Sequence, residues 1–360
     1  MTMLCRWAFM KGYRDGSEMR VVHQHRYRIR LVSVALGLAV AACLGAPMGA
    51  QALSWSRSVA VDSHGRPTSV SCSSATLCTT VDTNGYESTF ATDPSAPDAV
   101  SDLIDMGDPD DVACSGPGQC ALKSIACPSV GECVAVDVNG LEYTFDPGSP
   151  GTPQDTYIDQ GDNGGYSMNS VACPSSTQCT AVDSIAAQLT FNPLSPGGAE
   201  DVEVDTRNSS VELDSVACPS TNQCTAVDSQ GYELTFNPAS KKAFLKAVVI
   251  ERHQFLNGVA CPTTSRCTAV DRHGNEITFN PKSPHPHRAS IDRYGLNAIA
   301  CPSRRFCVAV DRHGRAVAGD PGHHWKTSKL SSTARLEAVA CRSRSECVVA
   351  DSAGQVFIGH

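Results

Sequence analysis

The stretch Val216-Ala217-Cys218-Pro219-Ser220-Thr221-Asn222-Gln223-Cys224-Thr225-Ala226-Val227-Asp228-Ser229-Gln230-Gly231-Tyr232-Glu233-Leu234-Thr235-Phe236 recurs in near-copies along most of this 360-residue chain. Each full copy carries two cysteines six positions apart, and the first of them falls at Cys72, Cys127, Cys173, Cys218, Cys261, Cys301 and Cys341. Successive copies are separated by 55, 46, 45, 43, 40 and 40 residues. A period of about 40 to 50 residues built from short apolar runs is typical of β-propeller blades.

Within one repeat, apolar residues alternate in three short runs, which predicts three strands. Pro-Ser after the first cysteine predicts the turn between strands one and two. Asp-x-x-Gly predicts the turn between strands two and three, because aspartate accepts hydrogen bonds from turn amides and glycine tolerates a positive φ. The predicted turn residues are Asp82, Asp137, Asp183, Asp228, Asp271, Asp311, Asp351, Gly85, Gly140, Gly231, Gly274, Gly314 and Gly354.

Two features of these turns bear on their conformation and role. Ala186 and Ala187 follow Asp183 where the other repeats have glycine, so we expect this turn to be built differently. A repeated aspartate is also compatible with a metal-binding ring, but its recurrence in a hairpin-turn context favours a structural role.

Cysteines at the end of one strand and the start of the next lie opposite each other in a hairpin, which favours a disulfide in every repeat. The predicted pairs are Cys72–Cys78, Cys127–Cys133, Cys173–Cys179, Cys218–Cys224, Cys261–Cys267, Cys301–Cys307 and Cys341–Cys347, with an additional pair Cys114–Cys120. Zinc is the alternative, but Cys-x5-Cys is not a usual zinc spacing and no repeat adds a partnered histidine.

The first 52 residues are predicted to lie outside the fold. Arginines precede an apolar run from Leu31 to Pro47, and Ala50-Gln51-Ala52 is a small-x-small cleavage site, so residues 1–52 resemble a secretory signal. Val40-Ala41-Ala42-Cys43 resembles a lipobox, so lipidation at Cys43 is an alternative, and an uncleaved membrane anchor is a third. Removal of the segment leaves an even number of cysteines, in agreement with export to the cell envelope or the medium.

Residues 53–360 are predicted to form an all-β, seven-bladed propeller closed by an N-terminal strand. Trp55 stands 17 residues before Cys72, and Trp325 stands 16 residues before Cys341. The last repeat lacks a fourth strand, so we expect the run around Trp55 to complete it and to remove two exposed sheet edges. Cys127 follows Cys114 by only 13 positions, so residues 112–122 are interpreted as an inserted hairpin. Eight blades are the alternative.

Charge is distributed unevenly around the expected ring. Residues 91–216 hold 21 acidic and 2 basic residues, whereas residues 241–360 hold 18 basic and 9 acidic residues. The simplest interpretation is that these charges keep the surface solvated. The alternative is that the charge asymmetry orients a charged partner. Few aromatics accompany the arginines and the net charge is −8, so nucleic acid is not an expected partner.

No cofactor or metal is predicted. The acidic loops Asp108–Asp111 and Asp159–Gly165 do not have the spacing of a calcium loop. The histidine pairs His285/His287 and His323/His324 are interpreted as surface residues.

The repeat Ala-Cys-Pro-Ser followed by Cys-x-Ala-Val-Asp-x-x-Gly resembles the cysteine-containing repeats of secreted bacterial β-propellers. More loosely it is similar to BNR or Asp-box propellers, including photosystem II assembly-factor-like proteins, although Asp228-Ser229-Gln230-Gly231 with Thr235-Phe236 only approximates an Asp-box. The resemblance implies a seven-bladed ring with a binding face, and it does not transfer a function.

Three functions follow as hypotheses. The first is a monomeric, non-enzymatic module that binds a protein or a cell-surface glycan. The second is a sialidase-like glycan-processing enzyme, which needs three converging arginines, an acid and a tyrosine; Arg207 is the only arginine between Arg66 and Arg252, which disfavours it. The third is a multivalent lectin that uses the recurrent third-strand aromatics. Those aromatics are instead expected to pack between blades, and they are Tyr86, Phe90, Tyr143, Phe145, Phe191, Tyr232, Phe236 and Phe279.

Overall fold

The computed structural model describes residues 53–360 except 94–98, 106–119, 152, 154, 160–164, 198, 206, 208–210, 244 and 253. The predicted signal segment with Cys43, the cysteine Cys114 and most of the predicted insertion at 112–122 lie outside the described residues. Cys120 is disulfide-bonded. No helix in the part of the chain that is described is long and apolar enough to cross a membrane.

The described residues form seven four-stranded antiparallel sheets, which are the blades of a propeller. Blade 1 comprises β2 (Pro67–Cys72), β3 (Leu77–Asp82), β4 (Tyr86–Ala91) and β5 (Ala99–Leu103). Blade 2 comprises β6 (Leu122–Ser129), β7 (Glu132–Asp137), β8 (Leu141–Phe145) and β9 (Asp155–Tyr157). Blade 3 comprises β10 (Met168–Ser175), β11 (Gln178–Asp183), β12 (Ala187–Phe191) and β13 (Glu200–Glu203).

Blade 4 comprises β14 (Leu213–Ser220), β15 (Gln223–Asp228), β16 (Tyr232–Phe236) and β17 (Val248–Val249). Blade 5 comprises β18 (Leu256–Thr263), β19 (Arg266–Asp271), β20 (Asn275–Phe279) and β21 (His287–Ser290). Blade 6 comprises β22 (Leu296–Ser303), β23 (Phe306–Asp311), β24 (Arg315–Gly319) and β25 (Trp325–Lys329). Blade 7 comprises β26 (Leu336–Ser343), β27 (Glu346–Asp351), β28 (Gln355–Gly359) and, from the start of the fold, β1 (Val59–Ala60).

The ring closes as the sequence predicts. β1 pairs antiparallel with β28 through Val59↔Val356 and Ala60↔Gln355, and a bridge joins Trp55 to Gly359. The first strands of neighbouring blades contact each other around the whole circle, including β2 against β26. The seven-bladed fold is therefore confirmed, and the eight-bladed alternative is excluded for the described part of the chain.

In the last two blades, glycine replaces the third-strand phenylalanine and a tryptophan packs over the glycine. The third strand has a buried phenylalanine at or next to its last position in blades 1 to 5, such as Phe90 and Phe279. In blades 6 and 7 it ends in Gly319 and Gly359. A Cβ added to Gly359 would lie 2.9 Å from the Trp55 ring, and one added to Gly319 would lie 2.9 Å from the Trp325 ring. Trp325, in the fourth strand of blade 6, and Trp55, just before the fourth strand of blade 7, thus lie where a phenylalanine side chain would otherwise pack.

The core is a series of apolar layers between blades. The second cysteine of each repeat is fully buried in such a layer, as Cys267 is among Val227, Leu256 and Phe279. Seven disulfides join strands one and two of the blades, with Cα–Cα separations of 3.9 to 4.1 Å. Each disulfide therefore borders an inter-blade core, with its second cysteine buried, and holds the register of its hairpin.

The turn after Asp183 corrects one expectation. It has the same hydrogen bonds as the other six turns, because Asp183 Oδ1 accepts the N–H groups of Ile185 at 2.9 Å and Ala187 at 2.8 Å. Ala186 takes the place of glycine with a φ of 67°. The repeated aspartate bonds force the backbone into the left-handed region, although alanine is strained there.

Candidate functional site

One face of the propeller carries the Asp-x-x-Gly turns together with the loops that lead from each fourth strand to the next blade. In every turn the aspartate Oδ1 accepts two backbone N–H groups, from the residues two and four positions later, at 2.7 to 3.1 Å. The Asp228 turn, for example, receives Gln230 N at 2.9 Å and Tyr232 N at 2.8 Å. This geometry gives the seven aspartates a structural task.

A second set of carboxylates lies beside the turn aspartates and was missed by sequence reasoning. A buried aspartate stands two positions after the end of five fourth strands, preceded by an aliphatic residue. These aspartates are Asp62, Asp105, Asp159, Asp205 and Asp292. The recurring aliphatic-Asp pair, as in Val61-Asp62 and Ile291-Asp292, is the signal that could have revealed them. The two carboxylates of a pair come from different blades, which the repeat alone does not show.

In blades 4 and 6 an arginine bridges the two acids. Arg207 Nε donates to Asp205 Oδ2 at 2.9 Å, and its NH2 group bonds Asp228. Arg315 Nε donates to Asp311 Oδ2 at 2.8 Å, and its NH2 group bonds Asp292. These bridges satisfy buried charges and tie successive blades together.

The bridging arginines are covered by aromatic rings. The Arg207 guanidinium lies 3.4 Å from the centroid of Tyr232, and that of Arg315 lies 4.3 Å from the centroid of Tyr294. In blade 1 the corresponding stack is His64 on Tyr86, with centroids 4.0 Å apart. Tyr86 and Tyr232 therefore lie in stacks over the acid pairs. This corrects the expectation that they pack between blades, whereas Tyr143 and the five phenylalanines are buried there.

Blades 1 and 3 have carboxyl groups at these positions without an arginine bridge. Asp82 Oδ2 and Asp183 Oδ2 are buried and have no hydrogen-bond partner within the described structure. Burial raises the pKa of Asp82 to about 6, and the neighbouring Asp62 contributes to the rise. Burial raises the pKa of Asp183 to about 7, with smaller contributions from Asp201 and Asp159. Burial thus favours the protonated form of Asp82 and Asp183, whereas a guanidinium neutralises the acid pairs in blades 4 and 6.

The described residues contain no group of three metal-ligating side chains. His285, His287, His323 and His324 lie on the surface.

First strands line the centre of the ring and bond to one another through side chains. Ser124 Oγ accepts the Val171 N–H at 3.1 Å, and the same contact recurs from Ser170 to Val216 at 3.2 Å. Asn257 Nδ2 donates to Leu296 O at 2.6 Å in the same manner. These hydrogen bonds join the first strands of neighbouring blades, and we call the joined first strands the inner ring.

Four exposed arginines are grouped at one side of this inner ring, on the face with the aspartate turns. They are Arg272 of blade 5, Arg312 of blade 6, Arg335 of blade 7 and Arg66 of blade 1, and we call them the arginine arc. Arg66 and Arg335 lie immediately before a first strand. Arg272 and Arg312 lie immediately after a turn aspartate. These two positions face each other, as shown by the bond from Ser352 N to Arg335 O at 2.8 Å.

The arc is positioned by the inner ring. Arg272 Nε donates to Asn257 Oδ1 at 3.2 Å, and its guanidinium lies 3.9 Å from the centroid of Phe255, a ring that is 43% exposed. Arg312 Nε donates to Asn297 Oδ1 at 2.9 Å. The result is a cationic, partly aromatic surface beside the first strands, contributed by four consecutive blades.

Two further side chains of these blades, Tyr294 and Glu337, contact arginines. Tyr294, a tyrosine of the same blades, is stacked on His313 with centroids 3.7 Å apart and lies against Arg315, which is engaged by two aspartates. Arg66 faces Glu337 at 3.6 Å.

Comparison with known proteins adds information on the fold. No protein-family model matches the sequence, and no curated protein sequence matches it. Among solved structures, one described as "YCF48 bound to D1 peptide" superposes with a TM-score of 0.63 at 12% sequence identity. The match covers 84% of this chain and 96% of the other. At this identity the likeness shows the seven-bladed fold and nothing about the ligand.

Proposed function

We propose that this chain is an exported, disulfide-braced binding module that holds an acidic segment of a protein ligand on the arginine arc. The proposal depends mainly on the four exposed arginines of the arc, which lie on one face next to the exposed ring of Phe255. Guanidinium groups bind carboxylates in bidentate geometry, and arginine beside an aromatic ring is typical of interface hot spots.

Two further observations support the proposal. One protein of similar fold, YCF48, is described in its solved structure as bound to a peptide. The bonds that hold Arg272 and Arg312 to asparagines of the inner ring reduce the entropy lost on binding.

The proposed location rests on the disulfides. Seven disulfides, each with its second cysteine buried, are compatible with an oxidising compartment, where such bonds form and persist. A leader in residues 1–52 would deliver the chain there, either as a secreted protein or anchored through Cys43.

Charge reversal tests the proposal. The double variant Arg312→Glu/Arg335→Glu changes the arc, and Arg304→Glu/Arg305→Glu is the matched control, because Arg304 and Arg305 are exposed in the opposite turn of blade 6. Affinity capture from the cell envelope should yield a protein with the wild type and with the control, and lose it with the arc variant and with rising salt. Equal capture by all three proteins would refute the arc as the binding surface, and selective binding to arrayed glycans without a captured protein would refute the protein ligand.

A further inference from the structure

The segment that closes the ring continues directly into one of the acid pairs. After β1, Val61 and Asp62 donate their N–H groups to Gly354 O of blade 7, at 2.9 and 3.1 Å. Asp62 is also the first member of the acid pair between blades 7 and 1, and the turn aspartate Asp82 is the second. Both side chains are buried. The chain therefore passes from the closing strand to blade 1 over two buried carboxyl groups.

A histidine stands here where blade 4 has an arginine. His64 comes two residues after the aspartate that follows the closing strand, just as Arg207 comes two residues after Asp205. The His64 ring is stacked on Tyr86 with centroids 4.0 Å apart. The Arg207 guanidinium lies over Tyr232, and both tyrosines begin the third strand of their blade. The two positions are equivalent, but arginine stays charged whereas histidine ordinarily changes its charge between about pH 5 and pH 8.

The charged groups that face His64 are the two acids of the pair. His64 Nδ1 lies 3.7 Å from Asp62 Oδ1. Asp82, at the end of β3, interacts electrostatically with both Asp62 and His64. Arg66, two residues further along the chain, faces Glu337 of blade 7 at 3.6 Å. The imidazole therefore lies beside two carboxyl groups and carries the charge that Arg207 supplies in blade 4.

The proton on Asp82 depends on the same contacts. Burial raises the pKa of Asp82 to about 6, and two turn N–H groups, which lower it, and Asp62, which raises it, act in addition. The loop after β5 packs against the same turn, because a Cβ added to Gly85 would lie 3.0 Å from Asp105 Cβ. Asp105 acts on the turn aspartate of blade 2. Asp82 thus loses its proton in the pH range in which histidines also do.

We propose that His64, Asp62 and Asp82 form a proton-operated latch that holds the closing strand to blade 1 at mildly acidic pH and loosens it at mildly alkaline pH. In the protonated state an imidazolium lies beside one carboxylate and one neutral carboxyl group. In the deprotonated state two carboxylates share a buried interface with a neutral imidazole, which disfavours the closed segment. Loss of either proton therefore acts in the same direction. The latch does not depend on the ligand proposed for the arginine arc.

Hydrogen exchange of the full oxidised chain tests the latch, because the amides of Val61 and Asp62 are freed when the closing segment opens. The matched reference lies in the same molecule. Ile291 and Asp292 donate their N–H groups to the turn glycine of blade 5 in the same way, at 2.9 and 3.0 Å. Their acid pair is bridged by Arg315, which stays charged throughout the pH range.

The size of the effect follows from Asp82. A carboxyl group whose pKa returns from about 6 in the closed segment to 3.8 in the open one shifts the opening equilibrium about tenfold between about pH 5 and pH 8. Protection factors are measured against the intrinsic exchange rate at each pH. Those of Val61 and Asp62 should fall about tenfold more over this range than those of Ile291 and Asp292.

Two variants test the members of the latch separately. His64→Arg copies blade 4 and should make the Val61 and Asp62 protection factors follow those of the reference amides at every pH. Asp82→Asn should do the same, because it removes the second carboxylate. His285→Arg, in an exposed loop of blade 5, is the control and should keep the wild-type fall. The proposal is overturned if the two sets of wild-type amides change in parallel with pH, or if either latch variant keeps the tenfold difference.

Discussion

Replacement of Glu142 by glutamine should make the free energy of unfolding less dependent on pH, because it removes a buried group that titrates. Glu142 is 1% exposed on β8 and accepts the Thr144 hydroxyl at 2.8 Å. Burial raises the pKa of Glu142 from 4.5 to about 8. The folded protein therefore keeps a proton that the unfolded chain has released, so this group's contribution to stability falls as the pH rises from about 4.5 to about 8 and is constant above that.

The magnitude follows from the pKa. At roughly 1.4 kcal/mol per pH unit, the group accounts for a loss of about 3 to 4 kcal/mol between about pH 5 and pH 8. Glutamine cannot ionise, and blade 3 shows that it fits, because Gln188 accepts the Thr190 hydroxyl at the same distance of 2.8 Å. Glu142→Gln should therefore match the wild type near pH 5 and be more stable near pH 8.

Denaturant titrations of the oxidised protein across this pH range provide the assay. The reverse change, Gln188→Glu, is the matched control and should steepen the pH dependence by a similar amount. A Glu142→Gln protein whose stability falls with pH as steeply as that of the wild type would refute a raised pKa at this site. Loss of stability at every pH would instead show that the glutamine does not keep the Thr144 bond.

Four other substitutions test the structure in distinct ways. Ala186→Gly should stabilise the protein by about 1 kcal/mol, since it relieves a positive φ of 67°, and no rise in the thermal midpoint would contradict that strain. Arg207→Met should destabilise by about 3 to 5 kcal/mol, because it leaves Asp205 and Asp228 buried without their cation. Its effect should be larger near pH 8 than near pH 5, and exposed Arg252→Met, which should change little, is the control. Trp55→Ala should cost about 3 kcal/mol by opening a gap beside Gly359, and an unchanged midpoint would argue against ring closure through this residue. Cys218→Ser/Cys224→Ser should lower stability by about 2 kcal/mol or more, which is the loop entropy of one small disulfide, with the wild type under reductant as the comparison.

The sequence by itself determined the architecture, because each blade is a local unit that the chain repeats. Alternation in the runs around Cys218 and Cys224 specifies strands, and the Asp-x-x-Gly spacing specifies their turns. Ring closure was also predictable, since Trp55 is placed relative to Cys72 almost as Trp325 is relative to Cys341. All of these are relations within one repeat length.

The tertiary structure decided what lies between repeats. The acid pairs of Asp205 with Asp228, and of Asp62 with Asp82, are formed by residues of different blades. Sequence reasoning also expected a different turn at Ala186, because it weighed glycine's freedom without the two hydrogen bonds that hold the backbone. The local sequence pattern determines each blade because the interactions within a blade are local. The sites lie at interfaces between blades, and only closure of the ring brings their residues together.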